Sequence, residues 1–446
     1  MKRVYETDAY GPEADRGNFW RTTIENRTSY PVAEGEIVSD FAIIGAGYTG
    51  LSAALHLCGN NAGDVVVLDA ETPGWGASGR NGGFACLGGA KQSDDVIKRR
   101  SGAVDLAEFH KAQHAAVDLV SDLLVRHHID ADIHSQGETQ LAHRARDIAD
   151  LREQAVQFHA DYGHKAQLIE RDALPDHGMS GPEFHGAMTI PIGFALNPLK
   201  FVTGLAGAAV HAGARVYANS AVTEITRQSS GYLIKTAKGR IRAKKLLLAT
   251  NGYSSDDIPN WMASRYLPVQ SNILVTRPVS LQEQQAQGWT SHQMCYDSRN
   301  LLHYFRLMPD GRFLFGMRGG VRSDKAALAD MRTTIRQDFE AMFPAWAHIE
   351  SPHIWAGLVC MSRNLTPYVG PLGDWPNAFA ALAYHGNGVA MASYSGALLA
   401  DLATGRKSDR PFPGLMQAPL RKFPLGRWRR SILRAAYHWY AFQDRG

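Results

Sequence analysis

The feature that most constrains the fold is a glycine motif placed directly after a short apolar run. In "SDFAIIGAGYTGLSAALHL", residues 41–44 predict a buried strand. Gly45, Gly47 and Gly50 follow it with the spacing G-x-G-x-x-G. The first glycine permits a tight turn, the second lets backbone approach a pyrophosphate, and the third lets the next helix pack on the strand. We therefore predict a strand, turn and helix that bind a dinucleotide, with the phosphates at the helix N-terminus.

An acidic residue follows where a ribose would need one. A second apolar strand, "VVVLDA", ends in Asp69, which lies 19 residues beyond Gly50. An acidic side chain there accepts hydrogen bonds from ribose hydroxyls. Glu71 is the competing acid, but it lies two residues farther along, so we expect Asp69 to bind the ribose. This order of elements predicts an α/β fold with a Rossmann-like sheet.

The stretch "GWGASGRNGG", residues 74–83, is half glycine. Such a cluster indicates either a flexible linker or backbone pressed against another group. With the acid and loop that precede it, the stretch resembles the corresponding segment of FAD-dependent amine oxidoreductases in the D-amino acid oxidase superfamily. It is most similar to the gamma-glutamylputrescine oxidoreductase-like branch. The resemblance favours close backbone approach over a linker.

The resemblance implies FAD as the cofactor, with this segment running along it towards the isoalloxazine ring. The cofactor-binding residues implied in this part of the chain are Gly45, Gly47, Tyr48, Thr49, Gly50, Asp69, Ala70, Gly76, Ala77, Ser78, Arg80, Asn81, Gly82 and Gly83. Arg80 is also a candidate catalytic residue, because a fixed positive charge near the flavin stabilises its anionic reduced form.

A second group of family motifs lies between Trp355 and Gly405. It comprises W-x-G, a P-x-x-G turn, an apolar strand near residues 378–383, and G-x-G-x-A opening a helix. The N–H groups of that helix start would point at the flavin pyrimidine carbonyls. Further implied cofactor contacts, with Val222 near the adenine, are Val222, Thr250, Asn251, Gly252, Gly357, His385, Gly386, Asn387, Gly388, Val389 and Ala390.

The family fold is a Rossmann-like FAD-binding domain of the two-dinucleotide-binding, glutathione-reductase-like type, interleaved with an α+β substrate domain whose antiparallel sheet covers the flavin. The expected ranges are 1–38 for an N-terminal extension, 39–90, 196–259 and 352–410 for the FAD-binding domain, 91–195 and 260–351 for the substrate domain, and 411–446 for a basic C-terminal segment. Apolar spacing predicts a helix over about 104–127. "LLHYFRLMP" and "GRFLFGMRG", joined at Asp310-Gly311, predict a hairpin.

Composition limits the partners and the compartment. Lys plus Arg exceed Asp plus Glu by only 47 to 43, which gives no case for nucleic-acid binding. The four cysteines form no C-x-x-C pair and fit reduced thiols in the cytoplasm. No run of 18 apolar residues occurs, so we expect no membrane span. His110 and His114 have a metal-ligand spacing but no third ligand, which favours a solvated helix face over a metal site.

The resemblance implies an enzyme that oxidises the C–N bond of an amine, either gamma-glutamylputrescine-like or another primary or secondary amine. Hydride transfer to flavin N5 would give an imine that hydrolyses to an aldehyde plus an amine or ammonia, with H2O2 formed if oxygen is the acceptor. Tyr304 and Arg306, on the predicted hairpin, and Asn387 are further candidate catalytic residues. Arg318, on the same hairpin, is a further candidate for the substrate pocket.

Several alternatives stay open. Ala390 stands where sarcosine oxidases of this superfamily place a carboxylate-binding lysine, which disfavours a small α-amino acid as substrate. Oxidation of an N-substituted amino acid or aminophosphonate is the alternative activity, and a non-catalytic flavin-binding protein is a further alternative. Oxygen is favoured over a quinone or carrier protein as electron acceptor. FAD is expected to be noncovalent, with a covalent link through Cys360 as the alternative.

Overall fold

The computed structural model describes residues 1–26 and 28–445, and for residue 445 its backbone alone. The α-helices are α1 (Pro12–Asp15), α2 (Tyr48–Gly59), α3 (Asp94–Ser101), α4 (Ala103–Arg126), α5 (Asp147–Tyr162), α6 (Pro198–His211), α7 (Leu281–Gln287), α8 (Lys325–Met342), α9 (Gly388–Thr404), α10 (Gly414–Gln417) and α11 (Arg430–Arg445). None of the helices in the described part of the chain has both the length and the apolar character needed to cross a membrane.

The strands form two large sheets and a small ribbon. They are β1 (Gly35–Ile44), β2 (Val65–Leu68), β3 (Phe84–Ala85), β4 (Glu138–Leu141), β5 (Gln167–Glu170), β6 (Gly186–Ile190), β7 (Phe194–Ala195), β8 (Arg215–Tyr217), β9 (Glu224–Gln228), β10 (Gly231–Lys235), β11 (Gly239–Leu248), β12 (Leu267–Pro278), β13 (Met294–Asp297), β14 (His303–Leu307), β15 (Arg312–Arg318), β16 (His353–Met361), β17 (Tyr368–Pro371) and β18 (Ala378–Leu382). The ribbon pairs β3 with β7.

The first sheet has a parallel centre, as the strand–turn–helix pattern predicts. Its order is β17-β18-β11-β1-β2-β8, and β10 and β9 extend it from β11 as an antiparallel meander. β1 pairs in parallel with β11 and β2, and β11 pairs in parallel with β18. All four residues of β2 are buried, as expected where a parallel sheet is covered on both faces. The predicted α/β class is confirmed.

The second sheet has the order β16-β12-β15-β14-β13-β4-β6-β5 and is antiparallel except between β13 and β4. The predicted hairpin is β14–β15, with Tyr304 opposite Gly316. One face of the sheet carries an aromatic core that includes Phe305, Phe313 and Trp346. Side chains alternate along a strand, so Tyr304 and Arg306 point to the other face, where Gly82 and Phe84 lie.

Two boundaries differ from the expected ranges, and the predicted helix agrees with its range. β1 begins at Gly35, inside the range 1–38 that was expected as an extension. β16 lies in the range 352–410 that was expected in the FAD-binding domain, yet its partner is β12 of the second sheet. Pairing between distant segments decides both boundaries, and local composition does not report it. The helix predicted over about 104–127 is α4.

Candidate functional site

A cavity of about 380 Å³ lies where β1, β2 and β11 of the first sheet end. Its wall includes Ile44, Leu68 and Ala249 at or just beyond those strand ends, and Tyr48 and Thr49 at the start of α2. Ligands of open parallel sheets bind at this edge, because loops and helix N-termini converge there. The cavity is therefore the candidate binding site.

Each of the three motif glycines makes a close contact in the turn between β1 and α2, which lies beside the cavity. Gly45 has φ of +108°, and a Cβ on it would lie 2.7 Å from the Ala249 carbonyl oxygen. A Cβ on Gly50 would overlap the carbonyl oxygen of Gly45, so this glycine lets α2 pack against the turn. A Cβ on Gly47 would lie 2.8 Å from Ser78 Oγ, which accepts a hydrogen bond from Tyr48 N at 3.0 Å. A larger residue at Gly45 or Gly50 would thus clash with backbone, and one at Gly47 would have to displace the Ser78 hydroxyl.

Asp69 sits in the cavity wall just past the end of β2. Its Oδ2 accepts from Ala46 N at 2.6 Å and its Oδ1 accepts from Glu71 N at 2.9 Å. Burial raises the pKa of this carboxyl group. Each carboxylate oxygen keeps a lone pair beyond these two bonds, so Asp69 can also accept from a ligand hydroxyl. Ala70 and Glu71 line the cavity beside it.

The glycine-rich stretch packs closely and is not a linker. A Cβ on Gly79 would overlap the Gly74 carbonyl oxygen, and a Cβ on Gly83, at φ of +74°, would overlap the Leu196 carbonyl oxygen. Asn81 holds the turn by donating to the Ala77 and Ser78 carbonyl oxygens, each at 3.0 Å. The residues of this stretch that line the cavity are Gly74, Trp75, Gly76, Ala77, Ser78 and Asn81. Gly82 and Gly83 lie outside that wall and face Tyr304 and Leu196.

Arg80 is buried behind the cavity wall, and its guanidinium lies 3.9 Å from the centre of the Trp75 ring. Its Nε donates to the Trp75 carbonyl oxygen at 2.7 Å and lies 3.3 Å from an oxygen of Asp15. Trp75, not Arg80, lines the cavity. The Trp75 ring therefore lies between the Arg80 guanidinium and the cavity. The contact between Arg80 and Asp15 could not be predicted from the sequence, because the two residues share no local motif.

The start of α9 forms another part of the wall. His385, Gly386, Gly388 and Val389 line the cavity, whereas Asn387 and Ala390 do not. The Asn387 amide points away and donates to the Leu87 carbonyl oxygen at 2.7 Å. It joins the segment after β3 to α9, and the catalytic role expected of Asn387 stays a prediction.

Some of the remaining predicted cofactor contacts line the cavity, and others lie outside its wall. Val222, Thr250 and Asn251 line the cavity, and Asn251 Oδ1 accepts from Ala383 N at 2.9 Å, which ties β11 to β18. Gly252 lies against the Leu358 carbonyl oxygen and Gly357 lies against Arg80, both outside the wall. Cys360 lines the cavity, and burial raises the pKa of its thiol to about 12. The thiol is thus protonated at neutral pH.

The N-terminal segment supplies cavity residues that the sequence did not indicate. Met1, Arg3 and Tyr10 belong to the wall. The Arg3 guanidinium lies 4.5 Å from the centre of the Tyr10 ring and donates to the Tyr253 carbonyl oxygen. These residues share no motif, and only the tertiary arrangement brings them to the cavity.

The predicted pocket residues of β14 differ in their surroundings. Tyr304 Oη lies 3.1 Å from Ser271 Oγ, and burial raises the pKa of the phenol. Arg306 is fully buried and donates to the Leu196 carbonyl oxygen at 2.8 Å. Burial lowers the pKa of Arg306 to about 9. Arg306 thus fastens the second sheet to the chain near Leu196.

His110 does not lie on a solvated helix face, contrary to the sequence expectation. It is buried, its Nε2 lies 2.9 Å from Asp94 Oδ2, and its Nδ1 lies 3.6 Å from Asp161 Oδ1. Hydrogen bonding and charge from Asp94 outweigh burial and raise the pKa of His110. The two ring nitrogens face different carboxylates, as expected of a charged histidine between two acids. His114 is exposed.

Comparison with known proteins gives concordant matches. A family model described as "DAO: FAD dependent oxidoreductase" matches residues 40–402. The chain is 32% identical over 436 residues to "Probable oxidoreductase OrdL" of Rhizobium meliloti (strain 1021), covering 96% of this chain and 97% of that protein. It is 30% identical over 434 residues to "Gamma-glutamylputrescine oxidoreductase" of Escherichia coli (strain K12), covering 96% and 98%.

Solved structures show the same fold. Glycine oxidase from Geobacillus kaustophilus superposes with a TM-score of 0.70 at 19% identity, covering 86% of this chain and 100% of that chain. L-alpha-glycerophosphate oxidase from Mycoplasma pneumoniae, with FAD bound, gives a TM-score of 0.64 at 16% identity, covering 86% and 99%.

Proposed function

Since the chain belongs to the DAO family of FAD-dependent oxidoreductases, we propose that it oxidises the C–N bond of an amine. FAD, when bound, would supply the acceptor for the hydride that leaves the carbon next to the nitrogen. Loss of the hydride from the neutral amine leaves an iminium ion, which water hydrolyses to a carbonyl compound and a protonated amine or an ammonium ion. Oxidation of an N-substituted amino acid or aminophosphonate is the competing activity, and the assay below separates the two.

The observation that carries the proposal is the convergence of two helix N-termini on one glycine-walled cavity. α2 begins at Tyr48, beside Gly47, and α9 begins at Gly388, and all three residues line the cavity. Free N–H groups at a helix start stabilise negative charge. We assign α2 to the pyrophosphate, α9 to the flavin pyrimidine and Asp69 to the ribose. These groups fit FAD.

Tyr304 and Ser271 are the residues we assign to the reacting amine. Their hydroxyl oxygens lie 3.1 Å apart on the second sheet. Because burial keeps the phenol protonated, Tyr304 is a hydrogen-bonding group and not a general base. A hydroxyl pair can donate to the nitrogen lone pair of a neutral amine and accept from its N–H, which orients the amine without taking a proton.

Similarity over nearly the whole chain to gamma-glutamylputrescine oxidoreductase supports a long amine as substrate. Ala390 supports the same view, because it is buried and carries no charge for a small amino acid's carboxylate. We place Arg306 and Asn387 as positioning residues, and we propose that Arg80 acts on the flavin through Trp75. We further propose oxygen as the acceptor and a cytoplasmic location, in keeping with four free cysteines.

An anaerobic titration of the FAD-loaded protein tests the proposal. Gamma-glutamylputrescine, free diamines, N-methylated amino acids, D-amino acids and aminophosphonates are added separately, and the visible flavin absorbance is followed. We expect stoichiometric bleaching by the long amine and rapid return of the colour in air. Bleaching by N-methylglycine alone would overturn the substrate class. Bleaching by no compound, while dithionite still reduces the flavin, would overturn amine oxidation.

A further inference from the structure

We propose that Lys91 and Arg318 form an anion site that holds a carboxylate carried by the amine substrate. This inference rests on the proposed function and names a feature of its substrate. The site lies beside the start of α9, on the second-sheet side of the cavity wall.

Arg318 is the last residue of β15 and lies opposite Ser271 of β12 in the second sheet. Its Nη2 donates to the His385 carbonyl oxygen at 3.0 Å. A Cβ on Gly386 would overlap the same nitrogen. His385 and Gly386 both line the cavity, so the guanidinium lies directly behind the turn that starts α9.

Lys91 reaches the same place from the segment after β3. Its backbone N donates to the Leu365 carbonyl oxygen at 2.8 Å. Two residues earlier, the Gly89 carbonyl oxygen lies 2.7 Å from His385 Nδ1. The charge of Arg318 is the main cause that lowers the pKa of Lys91 to about 7. Arg318 and the segment that carries Lys91 therefore both contact His385, one through its carbonyl oxygen and the other through its ring.

Neither cation has a counter-ion in the described part of the chain. Within residues 1–26 and 28–444, no carboxylate lies within 4.0 Å of Lys91 or Arg318. The Arg318 side chain makes one hydrogen bond, to a neutral carbonyl, and the Lys91 ammonium makes none to those residues. Neighbouring like charges without an anion are unfavourable. Lys91 is an exposed residue, although burial of its ammonium also helps to lower its pKa. An anion arriving from solution can therefore approach the pair along the exposed part of Lys91.

The titratable groups around the pair do not supply the missing negative charge. Burial raises the pKa of the Cys86 thiol well above its ordinary value, and burial raises the pKa of the Glu138 carboxyl group beside it to about 8. Burial lowers the pKa of His385 to about 3, so its ring is neutral. Near Arg318, burial raises the pKa values of Tyr304 and Tyr437, so both phenols keep their protons. At neutral pH the surroundings are neutral and the pair is positive.

The two side chains suit a carboxylate. A guanidinium presents parallel N–H donors that match two carboxylate oxygens, and an ammonium adds a compact charge with three donors. Tyr437 Oη, on α11, is buried and has no hydrogen-bond partner among the described residues. Tyr437 packs against the same hydrophobic cluster as Val321, three residues after Arg318, so its O–H can serve as a further donor beside the site.

The first test measures anion binding without turnover. The FAD-loaded enzyme is titrated with butyrate and, as a neutral match, butyramide, at constant ionic strength, and the flavin difference spectrum and Tm are recorded. We expect a response to butyrate only, weakened roughly 10- to 100-fold by Arg318→Gln or Lys91→Gln. Lys165→Gln, at an exposed lysine elsewhere, should bind as wild type does. Equal responses to butyrate and butyramide, or unchanged binding in both variants, would overturn the site.

A pH series separates charge from shape. Butyrate binding should weaken as the pH rises above about 7, because Lys91 then loses its proton. The Lys91→Arg variant should bind butyrate with little change up to pH about 9, since a guanidinium stays charged. A wild-type affinity that does not change with pH would show that Lys91 takes no part.

The second test compares gamma-glutamylputrescine with 4-aminobutanoylputrescine, which is the same molecule without its carboxylate. In the wild type we expect kcat/KM to favour the carboxylated amine by roughly 10- to 100-fold. Arg318→Gln should remove most of this preference by raising KM for that amine alone, with kcat little changed. Equal losses for both amines would mean a merely structural role. If no amine reduces the flavin while butyrate still binds through the pair, the proposed function fails and the anion site stands.

Discussion

The crossing of α2 and α9 depends on one small residue, Gly396. A Cβ there would overlap the Thr49 carbonyl oxygen and lie 2.8 Å from Ser52 Cβ. Carbon atoms pack best at about 3.5–4.0 Å, so Gly396→Ala must separate the two helices by roughly 1 Å. Ser52 Oγ donates to the Ser393 carbonyl oxygen at 2.6 Å across this contact, and that bond would stretch. Both helices begin at the cofactor cavity, so the separation should also disturb FAD binding.

Gly207→Ala provides the matched control. Gly207 lies in α6 and is exposed, and a Cβ on it would meet no heavy atom within 4 Å outside its chain neighbours and the backbone of its own helix. Alanine favours a helix over glycine by about 1 kcal/mol in either variant, so the difference between them isolates packing. We expect Gly396→Ala to be less stable than Gly207→Ala by about 1–3 kcal/mol.

The assay is thermal unfolding at saturating FAD, together with an FAD binding titration. Gly396→Ala should lower Tm by a few degrees. Each 1.4 kcal/mol by which the substitution makes the binding free energy of FAD less favourable should weaken FAD binding about tenfold. Gly207→Ala should leave Tm unchanged or raise it. If Gly396→Ala kept the wild-type Tm and FAD affinity, this would refute the argument that the close approach of α2 and α9 fixes the positions of the two helix starts at the cavity.

Three further predictions concern single side chains. Asp69→Asn should weaken FAD binding roughly 10- to 100-fold in an apoprotein titration, because its amide would turn N–H donors towards a backbone N–H, whereas Glu71→Gln should have little effect. Acid precipitation should release all the yellow colour from wild type, and Cys360→Ala should retain the wild-type FAD content; colour left in the wild-type pellet would contradict noncovalent binding. His303 Nδ1 lies 2.8 Å from Asp297 Oδ2, and charge from Asp297 outweighs burial and raises the pKa of His303 to about 9. This pair contributes stability below the unfolded-state pKa of about 6.5 that is lost as the pH rises through 9, of order 1–3 kcal/mol. Tm should fall over that window more steeply in wild type than in His303→Gln.

Local residue spacing was sufficient to predict the structural elements that are formed by residues close together in the sequence. The G-x-G-x-x-G turn, Asp69 at a strand end, α4 and the β14–β15 hairpin all follow from periodicity and turn chemistry within a few residues. The direction of a side chain depends on partners far away. The Asn387 amide turns to Leu87, 300 residues earlier in the chain, and Arg3 reaches Tyr253. No spacing rule reports such contacts, so the cavity wall was foreseen only where motifs form it.

The order of strands in the first sheet has a consequence for synthesis on the ribosome. β1 pairs with β11, in a register that joins Gly35 to Gly239, and β11 pairs with β18, which ends at Leu382. Contacts between residues so far apart form slowly and only after both partners exist. A nascent chain that has emerged only as far as the second sheet still lacks β18 and α9. We expect stalled or truncated translation products of that length to stay colourless and to depend on chaperones.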